Sequence, residues 1–315
     1  MRGGEAARAK KSLGQNFLVD ANIQRKIVDA LGASADDEVL EIGPGRGALT
    51  RHLAGTVRRL TLVELDDALA AALGKRFAGQ SDVQVVHGDV LDVDLASLLE
   101  KPEAARIIGN IPYNITTPII FKLLERPRPL EIVLMVQAEV ADRMTAEVGT
   151  KTYGALSVGV RTVARAERLF KVGRGAFRPV PRVESAIVRI TPIRPEPLEP
   201  SQEGRVRRLV KASFQWRRKQ LRKILRDHPD LRVEAGKVDE VLDSLGIPAE
   251  SRPETLDPEN GAKSVAKLVD LVSETAFPEG SEVREVLPDL SGRGLAPRGE
   301  FFTRDRAARL GEALE

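Results

Sequence analysis

At 315 residues, with a net charge of +3 and no cysteine, the chain has the length of about two domains. It excludes disulfides, thiolate metal sites and a cysteine nucleophile. His52, His87 and His228 lie far apart without ligand spacing, so no metal site is expected. No apolar run reaches the length of a membrane span. The first eleven residues, "MRGGEAARAKK", are basic but lack the apolar stretch of a secretory signal, which leads us to expect a cytoplasmic protein with no membrane contact.

In chain order, "VLEIG" (39–43), "LTLVEL" (60–65), "VQVVHGD" (83–89), "ARIIGNI" (105–111) and "EIVLMVQ" (131–137) read as strands. Helical spacing appears between them, in "DDALAAALGKRF" (66–77) and "TTPIIFKLLE" (116–125). Strict alternation of strand and helix predicts βαβ units and a parallel, doubly wound α/β sheet. Two later strands, near 166–172 and 183–191, are joined by "GRGAFRPVPR" rather than a helix, which predicts an antiparallel hairpin at the sheet edge. The four prolines of "TPIRPEPLEPSQEG" (191–204) mark a linker. Beyond it the pattern is helical to about residue 275. The expected organisation is a Rossmann-like domain over 1–195, a helical domain over 196–275 and a flexible extension over 276–315. That extension is rich in Gly, Pro and charge, with one short helix predicted over 304–314.

Residues 205–226 carry ten basic side chains and no acid. Such a run is either a solvated helix face or a surface awaiting a polyanion, and its self-repulsion favours a nucleic-acid partner. Arg217, Arg218, Lys219, Arg222 and Lys223 form its densest part.

"EIGPGRGALT" (41–50) follows the first strand, and its glycines let backbone N–H groups approach a ligand. Glu64, 21 residues after Gly43, ends the second strand where an acid can hold ribose hydroxyls. These two features fit NAD, FAD or S-adenosylmethionine. Three details favour the last. The spacing is G-x-G-x-G (Gly43, Gly45, Gly47). Asp89 ends the third strand, suited to an adenine amine, although a capping role is an equal reading of it. The corner after the fourth strand is "GNIPYNITTP" (109–118) rather than a nicotinamide pocket.

That corner has a chemical logic. An adenine amine is a poor nucleophile because its lone pair is delocalised into the ring. Two acceptors aimed at its N–H bonds favour the tetrahedral form that recovers the pair, most strongly in the transition state. The Asn110 side-chain carbonyl can be one acceptor. The Ile111 backbone carbonyl, kept extended by Pro112, can be the other. Tyr113 offers a flat face on which an extruded base can stack. Alone, the same four residues also read as a turn in which Asn110 caps and Tyr113 fills core.

At these residues the sequence resembles the small-subunit ribosomal RNA adenine dimethyltransferases of the KsgA type, over residues 10–272. The likeness is carried by "KKSLGQNFL" (10–18), "EIGPGRGALT", "VELD" (63–66), "GDVL" (88–91), "GNIPYNITTP", "YGALSV" (153–158), "FRPVPRVESAIVRI" (177–190), "SFQWRRKQLRKIL" (213–225) and "RPETL" (252–256). The resemblance implies a seven-stranded mixed sheet in a Rossmann-like methyltransferase domain with a small helical C-terminal domain. It implies S-adenosylmethionine as cofactor, S-adenosylhomocysteine as product, and dimethylation of two adjacent adenosines near the 3′ end of small-subunit rRNA within a pre-30S particle. By position it assigns Gln15, Asn16 and Leu18 to close over the cofactor, with Gly43 and Gly45 at the turn. Glu64 is assigned to the ribose and Asp89 to the adenine, with Leu65 and Val90 beside them, and Asn110 to both cofactor and target amine. Tyr113 and Phe177 are expected to sandwich the base, Phe177 being held on a stiff loop by Pro179 and Pro181; its other reading is an aromatic tucked into core. A monomer without metal is expected. The extension from about residue 277 departs from the family pattern. Two alternatives stay open: the erythromycin-resistance type, which modifies one adenosine of large-subunit rRNA, and a non-catalytic ribosome assembly factor.

Overall fold

A computed structural model of the chain describes residues 15–258. The extension over 276–315, its helix over 304–314 and the last part of the expected helical domain lie outside the described residues.

The strands are β1 (Phe17–Leu18), β2 (Glu38–Ile42), β3 (Arg59–Glu64), β4 (Val83–His87), β5 (Arg106–Asn110), β6 (Glu131–Gln137), β7 (Ala164–Val172), β8 (Phe177–Arg178) and β9 (Ser185–Pro192). The helices are α1 (Ala21–Leu31), α2 (Thr50–Leu53), α3 (Asp67–Phe77), α4 (Thr116–Leu123), α5 (Ala138–Met144), α6 (Ala155–Arg161), α7 (Pro200–Gln215), α8 (Leu221–Asp227) and α9 (Ala235–Ser244). Seven strands form one mixed sheet in the order β4-β3-β2-β5-β6-β9-β7. β4 through β6 run parallel, and β9 enters antiparallel between β6 and β7. The expected hairpin is therefore present, with its second strand on the inside.

The central strands read as continuous apolar runs because both faces of the sheet are covered. Alternation sorts their side chains. Ile107, Ile132, Leu134 and Val136 enter one core cluster, while Ile108, Val133 and Met135 enter the other. The first cluster continues without interruption into α7, α8 and α9 through Leu209, Ile224 and Val238. Two polar ties reinforce that junction. Arg128, 1% exposed, pairs with Glu196 at 2.8 Å and Glu203 at 2.7 Å. The Tyr153 hydroxyl donates to the Leu256 carbonyl.

The linker is shorter than the prolines suggested. Pro192 still pairs with Ala164 as the last residue of β9, and Pro200 is the first residue of α7. Proline is tolerated at both places, since a strand end and a first helical turn need no N–H. α5 and α6 went unseen in the sequence, and α2 is a single turn that starts seven residues after Gly43 rather than at the glycines. Asp20 caps α1, its side chain accepting from the Asn22 and Ile23 amides.

Candidate active site

The sheet order reverses between β2 and β5, whose C-terminal ends lie side by side with Ile42 opposite Gly109. Crevices form at such switch points because the connections leave in opposite directions. Here the crevice is a cavity of about 570 Å³, a size that suits a cofactor. β2 delivers the glycine turn, β3 delivers Glu64, β4 is followed by Asp89, and β5 delivers Asn110.

Gly43, Gly45 and Gly47 all have positive φ, at 62°, 58° and 75°. A Cβ on Gly45 would also lie 3.3 Å from the Phe17 ring. The turn therefore presents bare backbone to the cavity. Glu64 ties this turn to β3: its carboxylate accepts from the Gly45 amide at 2.8 Å and the Asp66 amide at 2.9 Å. Burial pushes its carboxyl up, with those backbone bonds pulling the other way. Asp89 answers to both of its readings. It lines the cavity, and one of its oxygens accepts from the Leu91 amide at 2.9 Å, which caps the turn after β4.

At the end of β5 the Asn110 amide nitrogen donates to the Asn16 carbonyl at 3.2 Å. This fixes the amide's orientation and leaves Oδ1 without a hydrogen bond among the described residues. In the next turn the Thr116 hydroxyl bonds the carbonyls of Pro112 and Tyr113, at 3.1 and 3.3 Å. The Ile111 carbonyl just before them accepts from no described residue. Tyr113 is half-buried, and its hydroxyl is anchored to the buried Ser185 hydroxyl at the start of β9. Burial raises the Tyr113 phenol, so it stays protonated.

Gln15, Asn16, Leu18, Gly43, Gly45, Glu64, Leu65, Asp89, Val90 and Asn110 all line this one cavity, as do Ile111, Pro112 and Tyr113. Phe177 does not. It is fully buried in the second core cluster, opposite Leu18 in the β1–β8 pair, which is its other reading as a core aromatic; of the two expected stacking rings only Tyr113 lines the cavity. The physical reason is pairing: a two-residue ribbon turns one face inward, and Leu18 and Phe177 occupy that face.

The basic segment is divided. Arg217 is spent inside the protein, donating to the carbonyls of Lys151 and Thr150 and approaching Glu254 at 3.5 Å. Arg222 pairs with Asp239 at 2.6 Å. Arg218, Lys219 and Lys223 are exposed and make no salt bridge among the described residues, although the charge of Lys223 is felt by Asp227 one helical turn on.

Sequence reasoning missed Glu41, Ser185 and Gln24. Glu41 is 1% exposed, lines the cavity and accepts from the Thr50 hydroxyl at 2.7 Å. An acid flanked by Leu40 and Ile42 near the end of a buried strand was the available signal. Gln24 donates to the Leu18 carbonyl at 3.0 Å beneath the cavity wall. No local pattern marks a residue whose role is to hold another segment.

The donor set fits S-adenosylmethionine: bare turn backbone, a strand-end carboxylate in Glu64, a second acid in Asp89 and apolar walls from Leu65 and Val90. Comparison with known proteins agrees. The family model for ribosomal RNA adenine dimethylase matches residues 6–260. A ribosomal RNA small subunit methyltransferase A from Geobacillus thermodenitrificans is 42% identical over 254 residues, which are 79% of this chain and 87% of that protein. A dimethyladenosine transferase structure from Plasmodium falciparum has a TM-score of 0.70 at 28% identity, covering 83% of this chain and 100% of the other. The structure of 23S rRNA methyltransferase ErmE has a TM-score of 0.61 at 30% identity, covering 82% and 100%. The chain belongs to the ribosomal RNA adenine dimethylase family and is an S-adenosylmethionine-dependent methyltransferase.

Proposed function

We propose that the enzyme dimethylates the exocyclic N6 amines of two adjacent adenosines in the 3′-terminal hairpin of small-subunit (16S) rRNA. It acts as a cytoplasmic monomer on a pre-30S particle. When bound, S-adenosylmethionine supplies an electrophilic methyl group on a sulfonium and leaves as S-adenosylhomocysteine. The glycine turn, Glu64 and Asp89 hold the cofactor, and Gln15, Asn16 and Leu18 close over it.

The observation that carries this reading is the pair of unclaimed acceptors, Asn110 Oδ1 and the Ile111 carbonyl, beside the Tyr113 ring. They accept the two N–H bonds of the target amine and favour its tetrahedral form. Tyr113 stacks under the base and fixes the line of attack. The amine loses its proton after the methyl arrives, so no shifted base is required. The helical domain from residue 196 presents Arg218, Lys219 and Lys223 to the RNA backbone, with Arg217 and Arg222 bracing the surface from which they project.

Labelled methyl transfer to small subunits lacking these modifications tests the reading. Wild type should label two adjacent adenosines as dimethyladenosine, and Asn110→Ala should lose about 10²–10³ in rate, as when one preorganised transition-state contact is removed. Label on large-subunit RNA alone would assign the chain to the erythromycin-resistance type. Tight binding of subunits without transfer would make it an assembly factor.

A further inference from the structure

The β1–β8 ribbon carries a second feature that the cofactor cavity does not use. In an antiparallel pair, residues directly opposite project from the same face. Leu18 and Phe177 share the buried face, so Phe17 and Arg178 share the other. On that second face the Arg46 guanidinium lies 4.3 Å from the centre of the Phe17 ring, and both residues line the cavity. The segment that carries β8, residues 173–184, adds Arg174 and Arg182. Arg174, Arg178 and Arg182 are all exposed.

Their hydrogen bonds go only to carbonyl oxygens of their own loop. Arg178 bonds the carbonyls of Phe177 at 2.7 Å and Gly175 at 3.1 Å, and Arg174 reaches the Arg182 carbonyl at 3.5 Å. None of the three meets a carboxylate among the described residues, and Glu184 is the loop's one acid. Elsewhere this protein pairs its arginines freely, as with Arg58, Arg59, Arg126, Arg128 and Arg189. Three guanidiniums gathered on one short loop without a counter-charge repel each other unless an anion joins them. Each is planar and suited to bidentate phosphate contact. Pro179 and the exposed Val180 and Val183 give the same loop a stiff, partly apolar edge.

We propose that loop 173–184, through Arg174, Arg178 and Arg182, clamps phosphates of the RNA strand next to the adenosine that enters the cavity. It is a second RNA contact, separate from the α7–α8 basic surface, and it rests on the RNA reading given above. Its work is to set the register of the strand at the cavity mouth, where a base must leave its stack to reach Tyr113.

Filter binding of unmodified small subunits to the full-length protein between 50 and 300 mM KCl tests this. We expect the double variant Arg174→Gln/Arg182→Gln to weaken binding about tenfold near 100 mM and to flatten the slope of log K against log salt by about 1.4–1.8, the loss of two phosphate contacts. Because Arg174 also braces the loop, Arg174→Lys/Arg182→Lys is measured beside it and should keep most of the slope. Unchanged affinity and slope in the glutamine variant overturn the proposal. Equal weakening in both variants with the slope intact also overturns it, because the loss would then be one of loop shape. Failure of the wild type to bind subunits at all would instead refute the RNA reading itself.

Discussion

Glu41 should make the protein's stability fall with pH in a window where carboxylates are usually silent. The side chain is 1% exposed in β2 and has one neutral partner, the Thr50 hydroxyl. Burial is the leading cause of a carboxyl pushed up from 4.5 to about 7; the Thr50 bonds oppose it and the charge of Glu64 adds to it. The folded protein therefore keeps this proton between about pH 4.5 and 7, while the unfolded chain releases it. The sign follows from linkage: the native state binds more protons in the window, so stability drops as pH rises through it and levels off above. At about 1.4 kcal/mol per unit the drop amounts to roughly 3 kcal/mol. Glu41→Gln removes the charge while an amide oxygen can still accept from Thr50. In urea titrations followed by Trp216 fluorescence and far-ultraviolet circular dichroism, the variant should match wild type near pH 4.5 and exceed it by roughly 3 kcal/mol at pH 8. Other titrating groups are common to both proteins and cancel in the difference. Parallel pH profiles, or a variant less stable at pH 8 than at pH 4.5 relative to wild type, would refute the argument.

Two further predictions concern the corner at β5. A Cβ on Gly109 would lie 2.8 Å from the Ile42 carbonyl oxygen and 3.3 Å from the Ile42 Cβ. Gly109→Ala should thus force β2 and β5 apart, costing about 1–3 kcal/mol in denaturant titrations and lowering methyl transfer by displacing Asn110. Ser185→Ala strands the half-buried Tyr113 hydroxyl, which should cost about 1–3 kcal/mol and slow transfer several-fold with cofactor affinity unchanged by calorimetry. Adding Tyr113→Phe removes both ends of that bond, so the double variant should be no worse than Ser185→Ala; additive losses would show that the two residues act separately.

What was legible in the sequence follows from how local each demand is. Central strands buried on both faces need runs such as "EIVLMVQ", and that strand was placed at its observed limits, Glu131–Gln137. The glycine turn, Glu64 and Asn110 were legible because positive φ, strand ends and an Asn-Ile-Pro-Tyr corner restrict residue type by themselves. Phe177 was misplaced for the converse reason. Its surroundings depend on pairing with Leu18, some 160 positions earlier, and a two-residue strand leaves no periodicity to read. The basic run showed its charge but not its partners, since Asp239 and Glu254 reach Arg222 and Arg217 from outside it.

The same contrast separates the two halves of the active site. In the proposed mechanism the methyl-transfer corner works through neutral acceptors whose aim is set by backbone: Asn110 is pinned through the Asn16 carbonyl, and Ile111 is held between Pro112 and the end of a central strand. Their strength comes from desolvation, so they need a deep, rigid place, which the switch point between β2 and β5 provides. Phosphate contacts need neither depth nor rigid aim, only charge at the surface. In the reading proposed above they fall accordingly on the outer ribbon and on α7–α8. A substitution on the sheet side of the cavity should therefore change the rate of transfer, and one on the ribbon side should change the salt dependence of binding.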